Sequence, residues 1–247
     1  MNTLILRITT LPDANAGRAI YGLGDLPEKG IYKAMMHLQH QHNGTEFLPL
    51  HQHRIVAISA IQVTAGSIQI KTLGEQEQSE AALLSRLAEL VDTASSIVFW
   101  NAQGFDLPVI NYRLLQHGIV CPTLSRQAAM PSADPKLVDL QAVLSANNSS
   151  AHAPFRELVQ VLGLPEGAAW SGEDILKHYQ AGNVQGIFQA CDTEVCNVYL
   201  IYLRLQYIQG LISQGAYQAA QLQLKSQLFT ASSHLKQFAT ACWAEQQ

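Results

Sequence analysis

The segment RIVAISAIQVTAGSIQIKTL, residues 54–73, most constrains the fold, because it contains two β-branched-rich runs separated by the turn-like sequence TAG. This pattern predicts a β-hairpin. LILRI at 4–8 predicts a strand before the hairpin, and SSIVFWN at 95–101 and KLVDL at 136–140 predict two strands after it. Because the later strands alternate with helical patterns, the chain is predicted to be an α/β protein with a mixed central sheet of about five strands.

Apolar residues at helical spacing predict several helices around this sheet. Ser79 is placed to cap the first of them and Gly118 to end the second. The sequence TASS at 230–233 is expected to interrupt the last one, and residues 11–53 show the least regular pattern. The predicted helices cover 79–94, 105–119, 153–165, 172–182, 183–210 and 213–247.

No internal repeat or low-complexity linker is visible, so residues 1–247 are expected to form one domain. Within it, residues 1–210 are expected to form the core and residues 211–247 a C-terminal helical extension. A hydrophobic fraction of 48% is ample for such a core, whereas charged residues make up only 14%.

The net charge of −4 argues against tight non-specific DNA binding, which needs many contacts from Lys and Arg to phosphates. It does not exclude a nuclease whose site is built from acidic metal ligands. The longest apolar runs are too short to span a membrane, and the first residues lack a signal-peptide pattern. The protein is therefore expected to be cytoplasmic, with no membrane partner.

The segment VFWNAQGFDLPVINYR, residues 98–113, carries the clearest chemical signal. A buried strand leads to Asn101, Gly104 permits a tight turn, and Asp106 falls in the first turn of a helix. Asp106 can be interpreted as a helix-capping carboxylate. Alternatively, it points into a ligand crevice at the carboxyl edge of the sheet.

A second signal lies in IFQACDTEVCNVYLIYLR, residues 187–204, where Asp192, Glu194 and Asn197 stand on an otherwise apolar helix. Positions 190, 194 and 197 share one helical face. Acidic groups on such a helix face either water or a site, and the sequence leaves both interpretations open.

Taken together, these segments resemble the predicted 3′–5′ exonuclease family related to the exonuclease domain of family-B DNA polymerases. The resemblance implies an RNase H-like (DnaQ-like exonuclease) fold. The Asn-x-x-x-Phe-Asp motif is fairly specific, and its combination with the last segment strengthens the likeness. The similar stretches, in chain order, are 47–62, 100–119, 138–145, 155–165 and 189–204.

The resemblance implies a centre in which two divalent ions are held by four carboxylates. At the matching positions this chain has Arg7 and Thr9 in place of the first-strand Asp and Glu. Asp106 is retained, Glu194 replaces the last Asp, and Ala190 replaces a Tyr that orients the attacking water. Removing two carboxylates and adding a guanidinium predicts that Arg7 pairs with Asp106 and Glu194 where a metal would otherwise sit.

Three hypotheses follow from these replacements. The first is a catalytically degenerate pseudo-exonuclease that binds single-stranded nucleic acid, a nucleotide or a protein partner, with no metal expected and Asn101, Gly104, Phe105 and Asn197 as ligand-binding candidates. The second is an active exonuclease that uses Mg²⁺ or Mn²⁺ on Asp106 and Glu194. The third is a scaffold protein with no nucleic-acid role.

Other candidate sites carry weaker signals. His37, His40, His42, His51 and His53 crowd one region and raise the alternative of a zinc site. The cysteines form no CxxC pair and are expected to be reduced and structural, and no nucleophile elbow accompanies the Ser-rich patches. A stripe of apolar residues on the last helical stretch is expected to pack in the core or to mediate self-association; it comprises Tyr217, Leu222, Leu224, Leu228 and Trp243.

Overall fold

The computed structural model describes residues 2–74, 79–129, 136–168 and 170–244. Within them lies one five-stranded sheet with the order β3-β2-β1-β4-β5. Its strands are β1 (Thr3–Pro12), β2 (His53–Thr64), β3 (Ser67–Leu73), β4 (Ser96–Phe99) and β5 (Leu137–Asp139). β1, β2 and β3 pair antiparallel, whereas β4 runs parallel to both β1 and β5. The mixed sheet and its hairpin are therefore as predicted.

Helices flank this sheet at most of the predicted positions. Ser79 caps α3 by accepting a hydrogen bond from the Ala82 amide at 3.2 Å, and Gly118 ends α4 in the left-handed conformation. The last predicted helix is interrupted at residues 231–232, as expected, and its residues 245–247 lie outside the described chain. The helices are α1 (Ala14–Tyr21), α2 (Glu28–Asn43), α3 (Glu80–Thr93), α4 (Leu107–His117), α5 (Pro122–Ala129), α6 (Leu140–Leu144), α7 (Phe155–Val161), α8 (Gly172–Gln180), α9 (Val184–Ile208), α10 (Gln214–Thr230) and α11 (Ser233–Cys242). None of the described helices combines the length and hydrophobicity needed to cross a bilayer.

Residues 11–53, where the sequence pattern was least regular and no helix was predicted, contain α1 and α2. Ile31 and Met35, one helical turn apart, are fully buried. They pack so closely on Gly17 of α1 that a Cβ there would lie 2.5 Å from the Met35 sulfur. The helical periodicity of α2 was present in the sequence, but polar His, Gln and Lys residues between its few apolar positions obscured it.

The sheet is buried on both faces. Leu4, Leu6 and Ile8 of β1 pack with α3 and α4 on one face, and Ile5 packs with α9 on the other. Because side chains alternate along a strand, Arg7 and Thr9 fall on the α9 side of β1. This alternation lets Arg7 and Thr9, but not Leu6 or Ile8, meet side chains of α9.

A buried ion-pair network joins separate parts of the chain. Arg113 of α4 donates to Asp13, at the start of α1, at 2.6 Å and to Glu80, at the start of α3. Glu80 also accepts a hydrogen bond from the Ile55 amide at 2.7 Å. One arginine therefore ties three helices and β2 together.

Candidate active site

The site lies where the carboxyl ends of β1 and β4 meet. These strands are parallel, so the residues that follow them emerge at the same edge of the sheet. The register between β1 and β2 shifts at Thr9/Thr10, a β-bulge of the kind that re-aims side chains near functional sites. This edge therefore carries Arg7 and Thr9 from β1 and the segment beginning at Asn101 from β4.

A short π-helical turn over Ala102–Asp106 positions Asp106. The Asp106 amide donates to the Asn101 carbonyl at 3.1 Å, and the Asn101 side chain accepts from the Gly104 amide at 3.0 Å. A Cβ on residue 104 would lie 2.4 Å from the Asn101 side-chain oxygen, so an alanine there would have to displace the Asn101 side chain. Asp139, at the end of β5, accepts a hydrogen bond from the Gln103 amide at 2.9 Å and so also holds this turn in place.

Asp106 itself is fully buried, and neither of its carboxylate oxygens has a hydrogen-bond partner among the described residues. It makes no capping bond to α4, so the interpretation of Asp106 as a helix cap is not supported. Burial raises the pKa of Asp106 to about 7, against the lowering effect of the nearby Arg7 charge. Asp106 is thus a fully buried carboxyl group at the base of the site.

Arg7 makes the central polar contact of the site. Its Nε donates to Glu194 Oε2 at 2.6 Å, and its guanidinium lies over the Phe155 ring at 5.1 Å. Burial acts to lower the pKa of Arg7, but the charges of Glu194 and Asp106 outweigh burial and raise that pKa. The predicted pairing with Glu194 is present; the interaction with Asp106 is one of charge, without a hydrogen bond.

The donor set does not fit a two-metal centre. Arg7 and Thr9 supply no carboxylate, and Glu194 is engaged by the Arg7 guanidinium. Across the described ranges, no group of three or more His, Cys, Asp or Glu side chains is arranged to hold a metal ion. This also disfavours the zinc alternative for the histidine-rich region, where His53 is buried and uses both ring nitrogens on Thr10 and Leu48.

A cavity of about 400 Å³ opens beside Arg7 and Glu194. Its wall includes an aromatic cluster in which the Phe47 ring lies 5.3 Å from His53 and 6.2 Å from Phe105. Burial lowers the pKa of His53, so the cluster is uncharged at neutral pH. Phe47 is 56% exposed and therefore available to a ligand. Trp170, Glu46 and Glu173 also line the cavity.

The predicted ligand-binding residues have different surroundings. Phe105 lines the cavity, whereas Asn101, Gly104 and Asn197 do not. Asn101 and Gly104 build the turn, and the buried Asn197 amide donates to the Pro165 carbonyl at 2.7 Å. Ala190, which the resemblance predicted to stand in place of a water-orienting Tyr, is buried beside a second cavity of about 630 Å³.

Sequence reasoning missed three features of this region. Phe155 and Asp139 lie in a segment predicted as a helix and a segment predicted as a strand. Nothing in the sequence pattern indicated that Phe155 contacts Arg7 or that Asp139 contacts the Gln103 amide. Asp192 does not face water: Ser59 and Thr72 donate to it at 2.5 and 2.7 Å, and His234 of α11 contacts it at 3.0 Å. The only feature of the sequence that indicated burial of Asp192 was the apolar composition of the helix around it.

Comparison with known proteins agrees with this architecture. A family model described as a predicted 3′–5′ exonuclease related to the exonuclease domain of PolB matches residues 45–242. The match includes Asp106, Ala190 and Glu194 but begins after β1, so Arg7 and Thr9 lie outside it. No similar sequence was found among curated proteins. The mixed five-stranded sheet with flanking helices is that of an RNase H-like fold, and the chain belongs to the family of predicted 3′–5′ exonucleases related to the exonuclease domain of PolB.

Proposed function

We propose that this chain is a catalytically degenerate member of its exonuclease family, which binds single-stranded nucleic acid at the old active site without cleaving it. The observation that carries the proposal is the contact between Arg7 and Glu194 at 2.6 Å. In this contact a cation pairs with Glu194, one of the two acidic groups that the resemblance assigns to the family's catalytic positions.

Electrostatics supports the loss of catalysis. A two-metal nuclease clamps the attacking and leaving oxygens between ions that several carboxylates hold. At about 4 Å, a guanidinium and a divalent ion repel by about 8 kcal/mol even at an effective dielectric constant of 20. A metal ion at this position would also have to compete with Arg7 for Glu194. The chain's own residues therefore favour the ion pair over the metal.

The cavity supports a retained binding role. Phe47, Phe105 and Trp170 line it, and aromatic rings stack on nucleobases without regard to sequence. Arg7 is the cation available to a phosphate there, since its terminal nitrogens make no hydrogen bond among the described residues. Because Glu46 and Glu173 also line the cavity, and the net charge is −4, we expect modest affinity and a shallow salt dependence.

A nuclease assay with a restored variant tests the loss of catalysis. The wild-type protein is incubated with a 3′-labelled single-stranded oligonucleotide and Mg²⁺ or Mn²⁺, and we expect no release of nucleotides. The combined variant R7D/T9E/A190Y/E194D rebuilds the four acidic positions and the Tyr, and we expect metal-dependent cleavage from it. Metal-dependent cleavage by the wild type that Asp106→Ala abolishes would overturn the proposal in favour of the active enzyme.

Fluorescence anisotropy over a salt series tests the binding role on the same oligonucleotide. We expect the affinity of the wild type to fall as salt rises, because phosphate contacts release counterions. Phe47→Ala should weaken binding by about 1–3 kcal/mol if one base stacks there. Leu115→Ala, at a residue 81% exposed on α4, is the matched control. Absence of binding at low salt would favour the scaffold hypothesis.

A further inference from the structure

The second cavity, of about 630 Å³, lies between α9, α11 and residues 165–168 and has no part in the proposed function. Its volume falls within the range of small-molecule sites in proteins, about 300–1,000 Å³. Ala190 lines it, at the position where the resemblance predicts a tyrosine. A larger side chain at position 190 would occupy part of this space, so the alanine keeps the cavity open.

The second cavity adjoins the cavity at Arg7 along α9. Trp170 lines both of them, whereas Glu194 lines the first and Ala190 the second. Positions 190 and 194 are one helical turn apart, which is about 6 Å along the helix axis. The Trp170 indole is stacked on the His178 ring with 3.7 Å between centroids, and this contact holds the indole in place. A strand with one base in the first cavity therefore has its neighbouring nucleotide close to the second.

The lining of the second cavity is polar but offers little free charge. None of the described residues that line it is Lys or Arg. Its one carboxylate, Glu166, accepts hydrogen bonds from Arg156 at 3.1 Å and from Gln160 at 2.9 Å. The His234 ring contacts Asp192 at 3.0 Å. The cavity therefore suits a neutral polar group better than a phosphate.

Two glutamines and two aromatic rings supply the contacts that a nucleobase needs. Gln189 and Gln237 line the cavity, and neither side chain has a hydrogen-bond partner within the described chain. A glutamine amide presents a donor and an acceptor side by side, which pair with the edge of a base. Trp170 and Phe238 also line the cavity, and aromatic side chains stack on bases. Stacking and edge contacts together are how proteins bind unpaired bases.

We propose that the second cavity binds a nucleobase of the same strand, next to the nucleotide bound at Arg7. The base enters the cavity and meets the two glutamine amides, and the phosphate that links the two nucleotides stays outside it. Trp170, which borders both cavities, contacts both bases. This inference rests on the proposed function, because it extends the strand from the first cavity into the second.

Competition with strands of increasing length tests this subsite. A fluorescein-labelled oligodeoxyadenylate is displaced by unlabelled strands of one to four nucleotides, with EDTA present so that no strand is cleaved. We expect the second nucleotide to strengthen binding roughly 5- to 150-fold, the effect of stacking one more base. Dinucleotides with an abasic site at either position carry only one base and should not show this gain.

Variants in the lining test where the added base lies. Ala190→Tyr, which fills part of the cavity, should abolish the gain from the second nucleotide. Gln237→Ala, at an exposed residue of α11, should reduce that gain. It should leave unchanged the affinity for the mononucleotide, whose phosphate binds Arg7. Gln218→Ala, at an exposed residue of α10 outside both cavities, is the control.

The outcomes separate this subsite from the proposed function. Equal affinity for one and two nucleotides, an undiminished gain in the abasic dinucleotides, or equal effects of Gln237→Ala and Gln218→Ala would overturn the subsite alone. Displacement by adenosine that Gln237→Ala weakens, without any gain from strand length, would assign the cavity to a free nucleoside and overturn the subsite for a strand. Absence of binding at every length would overturn both proposals.

Discussion

At the scale of single residues, Asp106 is the acidic group whose surroundings are most unusual. Its carboxyl group is retained, fully buried and without a hydrogen-bond partner among the described residues. Burial disfavours the charged carboxylate, so Asp106 keeps its proton to a higher pH than an exposed aspartate does. With its pKa at about 7, Asp106 is protonated over the acidic range.

Replacement of Asp106 by Asn should change how stability depends on pH. The folded-state pKa of about 7 lies above the ordinary value of 3.8, so the folded protein retains a proton that the unfolded chain has released. The free energy of unfolding therefore falls as pH rises from about 4 to 7. We expect Asp106→Asn to remove this fall and to stabilise the protein by roughly 1–4 kcal/mol at pH 8, with little effect at pH 4.

Urea denaturation at pH 4, 6 and 8 measures this difference. Asp25→Asn, at an exposed carboxylate, serves as the control and should follow the wild type. Parallel pH profiles for the wild type and Asp106→Asn would contradict the assignment of a raised pKa.

The sequence predicted the pairing of Arg7 with Glu194, because a cation among retained carboxylates has few alternatives. It could not predict that Asp106 would lack a hydrogen bond to Arg7. That outcome depends on the π-helical turn, whose geometry follows from long-range contacts such as the one between Asp139 and the Gln103 amide. The Phe155 ring beneath Arg7 also comes from a distant helix. Such contacts leave no periodic signal in the sequence.

At the scale of elements, the turn between β4 and α4 is the part that positions the site. Gly104→Ala should disrupt it, because the added Cβ would lie 2.4 Å from the Asn101 side-chain oxygen and displace that cap. We expect a loss of about 1–3 kcal/mol in the free energy of unfolding, since both the cap and local packing are affected.

Chemical denaturation of Gly104→Ala beside Gly172→Ala measures the effect. A Cβ at Gly172, in the first turn of α8, meets nothing within 4 Å, so that variant should be neutral or slightly stabilised. Equal stability of the two variants would show that the turn adjusts without cost.

The sequence predicted elements well where the local pattern was strong and poorly where it was not. The hairpin of β2 and β3 was predicted from two β-branched-rich runs around a turn-like sequence, and α9 from its long, largely apolar stretch. α2 was missed, since its buried face consists of a few residues among many polar ones. The short α5 was missed for the same reason, because it has too few apolar positions to define a face.

At the scale of the whole molecule, Arg113 links segments that are distant in sequence. Removing it leaves Asp13 and Glu80 without their cation in a mostly buried environment. We expect Arg113→Met to cost about 3–5 kcal/mol at neutral pH. Arg86→Met, which removes an exposed pair with Glu89, should cost no more than about 1 kcal/mol.

The cost of Arg113→Met should also depend on pH. Burial acts to raise the pKa of Asp13, but the hydrogen bond and charge of Arg113 lower it by more. The stability from this pair is therefore present above the ordinary pKa of 3.8 and is lost as pH falls below it. Denaturation at pH 7 and pH 3 should show the difference between wild type and variant shrinking in acid. A difference that is independent of pH would assign the loss to packing alone.

The contact between Arg7 and Glu194 also limits how the chain can change further. Replacing Arg7 alone by Asp would place a third carboxylate near Asp106 and Glu194 while removing the cation that balances them. That first step lowers the stability of the fold before the remaining metal ligands exist, because Thr9 still supplies no carboxylate. On the proposed function, a metal centre could arise only through several substitutions together, because each one taken singly is opposed by the charges already in place. Arg7 would in that case preserve the loss of metal binding that we propose.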